Sequence, residues 1–195
     1  MTTRKPATPA ARRRAGAGRR LPGDPSPGAA VARILRVDQA GEYGAARIYD
    51  GQLAILGRRP VGATIREMRA QEARHLETFD RLVADRRVRP TALAPLWHVA
   101  GFALGAATAL LGERAARACT VAVEEAIDAH YARQAGSLDE DEAPLRQTIE
   151  AFRADELAHR DTGLAHGAER APGYRALHAV VGTATRLAIR LSERY

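Results

Sequence analysis

The chain holds a single cysteine, Cys119, so no disulfide can close within its 195 residues. That suits a reducing compartment. Lysine is almost absent too: Arg outnumbers Lys 29 to 1, a bias that reflects GC-rich coding rather than function. Aromatic residues make up only 5%, so a core must be filled mainly by aliphatic side chains and alanine. No alternating run of β-branched residues is present, which argues against a sheet. The N-terminus lacks an apolar stretch, so a secretory signal is not expected. No glycine-rich fingerprint follows a strand pattern, so NADH binding within the chain would be unusual.

What is abundant is Ala, Leu, Arg and Glu, all good helix formers. The expected fold class is all-α. The formal charge of +7 is unevenly spread. Residues 1–30 carry seven basic side chains against Asp24, which is nearly all of it. Basicity therefore marks a tail and not a nucleic-acid-binding face. That tail, rich in Arg, Ala, Gly and Pro, reads as disordered and solvated. Contact with anionic lipid head groups and a mitochondrial targeting role are its alternatives. Residues 31–195 read as one domain.

Glycine and proline punctuate that domain. Helices are expected over 29–56 and 61–86, with Gly57 and Pro60 between them. Pro90 and Pro95 interrupt the pattern, and a third helical region runs to about Gly136. A fourth covers about 142–169, and Pro172 precedes a last helix to about Glu193. Between Thr91 and Gly112 there is no Asp, Glu, Lys or Arg. This stretch is near the length that spans a bilayer. It contains Pro95, His98 and several glycines, and a full span would separate the two halves of the chain. We therefore expect a surface element dipping into one leaflet, with Trp97 near the interface.

Chemistry is carried by two Glu-x-x-His steps. Glu72 and His75 form the first, Glu156 and His159 the second. A lone glutamate stands upstream of each: Glu42 thirty residues before Glu72, and Glu124 thirty-two before Glu156. Residues at i and i+3 share one helix face, so a Glu and a His there can hold one ion. Two steps plus two single glutamates make the ligand set of a ferritin-like four-helix di-iron bundle. Glu72 and Glu156 are expected to bridge two iron ions. Glu42 and Glu124 cap one each, and His75 and His159 complete them. Four carboxylates and two imidazoles neutralise two ferrous ions. Asp155, Asp161 and Arg160 are candidates for orienting the imidazoles.

The halves repeat. Tyr49 lies seven residues after Glu42, and Tyr131 seven after Glu124; that offset selects Glu124 over Glu125. Met68 and Phe152 each sit four before their Glu-x-x-His step. Tyr49 and Tyr131 face either the site or the core. His130, His166 and His178 read as ordinary polar or cap residues, and Cys119 as a small buried one.

Several stretches closely resemble the demethoxyubiquinone hydroxylase family: RVDQAGEYGAARIYDGQ (36–52), QEARHLETF (71–79), RPTALAPLWHVAGFALGAATALLG (89–112), ACTVAVEEAIDAHY (118–131), FRADELAHRDTGLAHGAERAP (152–172) and LSERY (191–195). The departures are mild: Gln39 and Asp155 stand where the family often has His and Glu. The resemblance implies the same six ligands, with no catalytic or cofactor-binding residues beyond them. It implies a monooxygenase that uses O2 as co-substrate to hydroxylate the ring of a polyprenylated benzoquinol in ubiquinone synthesis. It also implies a peripheral position on a membrane, beside other ubiquinone-synthesis proteins and without nucleic acid. The coding bias favours the cytoplasmic face of a bacterial inner membrane, the mitochondrial inner membrane being the eukaryotic equivalent. The sequence leaves the electron donor and oligomeric state open. The competing reading is a ferritin- or rubrerythrin-like ferroxidase or peroxide scavenger with the same ligands.

Overall fold

In the computed structural model, residues 25–195 are described, and the reading of 1–24 as a disordered tail lies outside them. Six α-helices account for nearly all of the described chain, with no strand among the described residues. α1 spans Pro27–Leu56 and α2 Gly62–Asp85. α3 spans Ala94–Leu110, α4 Glu113–Ser137, α5 Ala143–Ala165 and α6 Tyr174–Ser192. Single 3₁₀ turns at Glu140–Glu142 and Ala168–Arg170 flank α5.

The helices start where local chemistry says they should. Ser26 caps α1 by accepting from the Ala29 N–H at 3.1 Å, and Pro27 opens the first turn. The last residues of the expected tail are therefore already cap and helix. Proline also opens α3 at Pro95 and α5 at Pro144. The expected third region is two helices. Gly112 adopts φ 109°, which ends α3 and starts α4 in a new direction. Gly57, by contrast, ends α1 in a right-handed conformation. The missing side chain of Gly62 matters in the same turn, where a Cβ would meet the Gly57 carbonyl oxygen at 2.5 Å.

α1 and α2 form one hairpin and α4 and α5 the other. The main core lies between them, with Leu35, Phe79, Tyr131, Leu145 and Ile149 all buried. α3 packs along α1 through small residues. A Cβ on Gly105 would lie 1.9 Å from the Ile48 carbonyl oxygen, and one on Gly51 2.2 Å from that of Phe102. Backbones this close tolerate only glycine, the packing device common between helices in lipid. α6 lies against α4 and α1. Its end is tied to the start of α3 by Ala92 N–H to the Tyr195 carbonyl at 2.8 Å and by the Trp97 indole N–H to Ser192 Oγ at 2.9 Å.

Candidate metal centre

Four helices converge on the middle of the bundle. α1 brings Glu42, α2 Glu72 and His75, α4 Glu124, and α5 Glu156 and His159. All six are buried, none more than 4% exposed. Each helix turns one face inward, and helical spacing stacks the donors on that face. Ligand atoms of Glu42, Glu72, His75 and Glu156 lie within 4.8 Å of one another. Those of Glu72, Glu124, Glu156 and His159 do the same. Glu72 and Glu156 belong to both groups, as bridging carboxylates would. Glu125, the rejected neighbour of Glu124, is on the surface, paired with His178 at 2.9 Å.

The donor atoms fit a cation. Both oxygens of Glu72 and of Glu156, one of Glu124, and Nδ1 of both histidines are buried without a satisfying hydrogen bond. His75 Nδ1 does sit 3.2 Å from Glu156 and 3.5 Å from Glu42, and His159 Nδ1 3.1 Å from Glu72. These are close approaches with poor hydrogen-bond alignment. Converging hard oxygens and imidazoles suit iron or a similar divalent ion.

Proton chemistry records the crowding. Burial, then the neighbouring carboxylates, pushes Glu72 and Glu124 well above the usual carboxylate range. Glu42 rises as well, mainly through burial. Burial acts on Glu156 in the same direction, but His159 and His75 outweigh it and hold that carboxyl at about 2. Burial would lower His75, yet Glu156 and Glu42 raise it to about 11. His159 rises for the same reason. The cluster thus holds protons where a cation belongs.

The surrounding residues cross between the halves. His75 Nε2 lies 3.0 Å from Asp155 Oδ2, and His159 Nε2 3.2 Å from Gln71 Oε1. Each imidazole of one step therefore meets the residue just ahead of the other step. A donor hydrogen on Nε2 leaves Nδ1 free for a metal. The tyrosines cross as well. Tyr49 donates to Glu124 at 2.8 Å and Tyr131 donates to Glu42, so both face the site and are core residues too. Phe152 stacks on His75, ring centroids 3.9 Å apart.

Other expectations fare unevenly. Asp155 contacts His75, as an orienting residue would, whereas Asp161 and Arg160 pair with each other near the surface. Gln71 was not foreseen, although it precedes its Glu-x-x-His step as Asp155 precedes the other, so the repeat carried the signal. His166 hydrogen-bonds Thr162 at the end of α5, a cap as expected. Cys119 is fully buried, its thiol pushed up to about 12 by that burial. His130 is no surface residue: it is buried with Gln134 and Asp38, and Gln134 donates to Asp38 at 2.7 Å. Burial raises the Asp38 carboxyl.

An apolar cleft of about 160 Å³ runs between α1, α3, α4 and α6. Gly41 and Ala45 line it beside Glu42 on α1, and Val123 lines it just ahead of Glu124. Trp97, half-buried, forms part of its wall instead of projecting outward.

The family described as "Ubiquinone biosynthesis protein COQ7" matches residues 29–192. The chain belongs to the COQ7 family. Among its relatives, the 3-demethoxyubiquinol 3-hydroxylase of Rhodospirillum rubrum is 62% identical over 90% of this chain and 83% of its own. The human NADPH-dependent 3-demethoxyubiquinone 3-hydroxylase, mitochondrial, is 55% identical over 85% and 78%. The 5-demethoxyubiquinone hydroxylase, mitochondrial, of Saccharomyces cerevisiae is 40% identical over 83% and 77%. These COQ7-family relatives are ring hydroxylases by name, which favours a quinol hydroxylase over a ferroxidase.

Proposed function

We propose that this chain hydroxylates the ring of a polyprenylated demethoxyubiquinol, using O2 at a centre of two iron ions held by Glu42, Glu72, His75, Glu124, Glu156 and His159. The observation that carries this reading is the pair of buried donor clusters that share Glu72 and Glu156. Bound there, two ferrous ions supply the electrons and the oxygen activation that ring hydroxylation needs. The chain supplies the rest. Glu42 and Glu124 each serve one ion, and Tyr131 and Tyr49 hold them in place. Asp155 and Gln71 keep each imidazole in the tautomer that presents Nδ1.

The cleft between α1, α3, α4 and α6 receives the substrate. Its volume is close to the ~150 Å³ that suffices for a benzene ring. Its walls are small and apolar, so they exclude water and accept an isoprenoid tail. The outer faces of α3 and α6 expose Leu96, Val99, Phe102, Leu110, Val180 and Leu187. Among the described residues no helix is long and apolar enough to cross a membrane. Together these features support a protein resting on one leaflet; the arginine-rich coding bias is what favours the cytoplasmic face of a bacterial inner membrane. The membrane itself then delivers the quinol to the cleft.

A single-turnover experiment tests the whole reading. The protein is loaded anaerobically with two equivalents of ferrous iron, then given a short-chain demethoxyubiquinol and labelled oxygen gas. A quinone heavier by one labelled atom is expected by mass spectrometry. Iron oxidation without labelled quinone would instead indicate a ferroxidase, and failure to take up iron would sink the six-ligand site.

A further inference from the structure

A second cleft lies at the end of the bundle where α3 gives way to α4. Its volume is about 430 Å³. Arg114 and Arg117 of α4 line it, with His166 at the end of α5 and Arg170 in the following 3₁₀ turn. Glu113 is the one carboxylate in the wall. Arg117 is already engaged: it donates to the His166 carbonyl at 2.9 Å and reaches Glu113 at 3.5 Å. Arg117 and Glu113 therefore cancel. Arg114 and Arg170 are exposed, and among the described residues their side chains make no hydrogen bond or ion pair.

The lip of the same cleft is apolar. Leu111 lines it and is 71% exposed, as is Leu110, the residue before it at the end of α3. Two free guanidiniums next to two bare leucines match a ligand with an anionic head and a hydrocarbon body. A soluble phosphate would satisfy the arginines and leave the leucines in water. Guanidinium forks suit phosphate oxygens, and leucine gains by entering acyl chains.

We propose that this cleft seats the phosphate headgroup of an anionic phospholipid, with Arg114 and Arg170 meeting the phosphate and Leu110 and Leu111 entering the acyl layer beside it. The proposal rests on the membrane-surface reading above and adds a specific anchor to it. The anchor sits at one end of α3, the helix that also walls the substrate cleft. It fixes how the protein is turned on the membrane, not merely that it binds.

The test is flotation of the full chain with vesicles of phosphatidylcholine alone and of phosphatidylcholine with phosphatidylglycerol. Two double variants are compared with wild type: R114A/R170A, and R81A/R133A, which removes the same charge from exposed arginines outside the cleft. Melting temperatures check that both variants fold. Each arginine near an anionic surface accounts for about fivefold in binding, so R114A/R170A should lose roughly 30-fold on the anionic vesicles. It should lose little on the neutral ones, and R81A/R133A should lose much less on either. Equal losses in the two variants would reduce the effect to net charge and overturn the site. If inorganic phosphate raises the melting temperature of wild type alone, while R114A/R170A keeps its vesicle binding, the cleft takes free phosphate and the lipid assignment fails. Wild type that floats with neither vesicle would refute the membrane reading itself, and the anchor with it.

Discussion

Asp155 and Gln71 stand outside the two donor clusters, yet each contacts Nε2 of an imidazole within them. Removing such a support typically costs about 10–100-fold in metal affinity or activity. Asp155→Ala should therefore take up less iron at limiting ferrous concentration, and Gln71→Ala likewise. Asp161→Ala, whose side chain is 63% exposed, should behave as wild type. Full iron loading and turnover in the Asp155 variant would show that the packing of His75 against Phe152 suffices to orient the ring. The protons on the cluster give a second prediction. The folded protein keeps protons on Glu42, Glu72, Glu124 and His75 that the unfolded chain releases. For the glutamates, stability should fall as pH climbs above about 4.5. For His75, the contribution is complete below about 6.5 and fades toward about 11. Both act in one direction, so the chelator-treated protein should melt at lower temperature at pH 8 than at pH 5.5. Iron must displace these protons, so loading should release them and flatten that slope. Calorimetry in buffers of differing ionisation enthalpy measures the release, and a value of zero would contradict the protonated cluster. Four of the six candidate ligands were legible in the sequence because i, i+3 spacing puts Glu and His on one face; Glu42 and Glu124 were read from their matched upstream spacing and, for Glu124, the tyrosine offset. Asp155 was legible by adjacency. Gln71 holds the same place ahead of the other step, so the repeat could have found it, whereas the burial of His130 arises only from contacts between helices far apart in the chain.

Among the elements, α3 depends most on the absence of side chains. Gly105→Ala would drive a methyl group into the Ile48 carbonyl, and overpacking of this kind costs about 1–3 kcal/mol. For a chain of this size that lowers the melting temperature by roughly 2–12 °C. Gly136→Ala has open space around it in α4 and should be neutral or stabilising by up to about 1 kcal/mol. Thermal denaturation of the pair separates close approach from helix propensity, and similar melting temperatures would mean that α1 and α3 can part without cost. Helix starts and stops were read well wherever proline or glycine marked them. The exceptions are the end of α5, expected near 169 but reached at Ala165 ahead of left-handed Gly167, and the α3–α4 boundary. Uncharged residues on one side and good helix formers on the other give no break in pattern, and only the positive φ of Gly112 makes one. The glycines facing α1 were visible as composition, but their role needs the partner backbone to be in place. The cap at Ser26 was hidden because it lies in a stretch whose arginine and proline content pointed to disorder.

At the scale of the whole molecule, the two hairpins are near equivalents, and their contacts cross from one to the other. α3 and α6 break that symmetry. They wall the apolar cleft and leave apolar side chains facing outward, Val99 66% exposed and Leu187 55%. An enzyme acting on a freely soluble substrate has no use for such a face; one that draws a polyprenyl quinol from a bilayer does. The sequence showed the apolar stretch of α3 plainly, but the amphipathic lie of α6 and the cleft between them emerge only on packing. Placing charge on this face should separate binding from chemistry. Burial of a valine or leucine is worth about 1.5–3 kcal/mol, so Val99→Glu with Leu187→Glu should weaken vesicle binding by 100-fold or more at that scale. The loss should appear on neutral vesicles, where the arginine variants lose little, and be larger still on anionic ones, which repel the two added carboxylates. Iron content should stay normal, because neither residue belongs to the donor clusters. Hydroxylation of a long-chain quinol in vesicles should then collapse while that of a short-chain quinol in solution persists. If the double variant still processes the vesicle-borne substrate at the normal rate, the outer face of α3 and α6 takes no part in reaching that substrate.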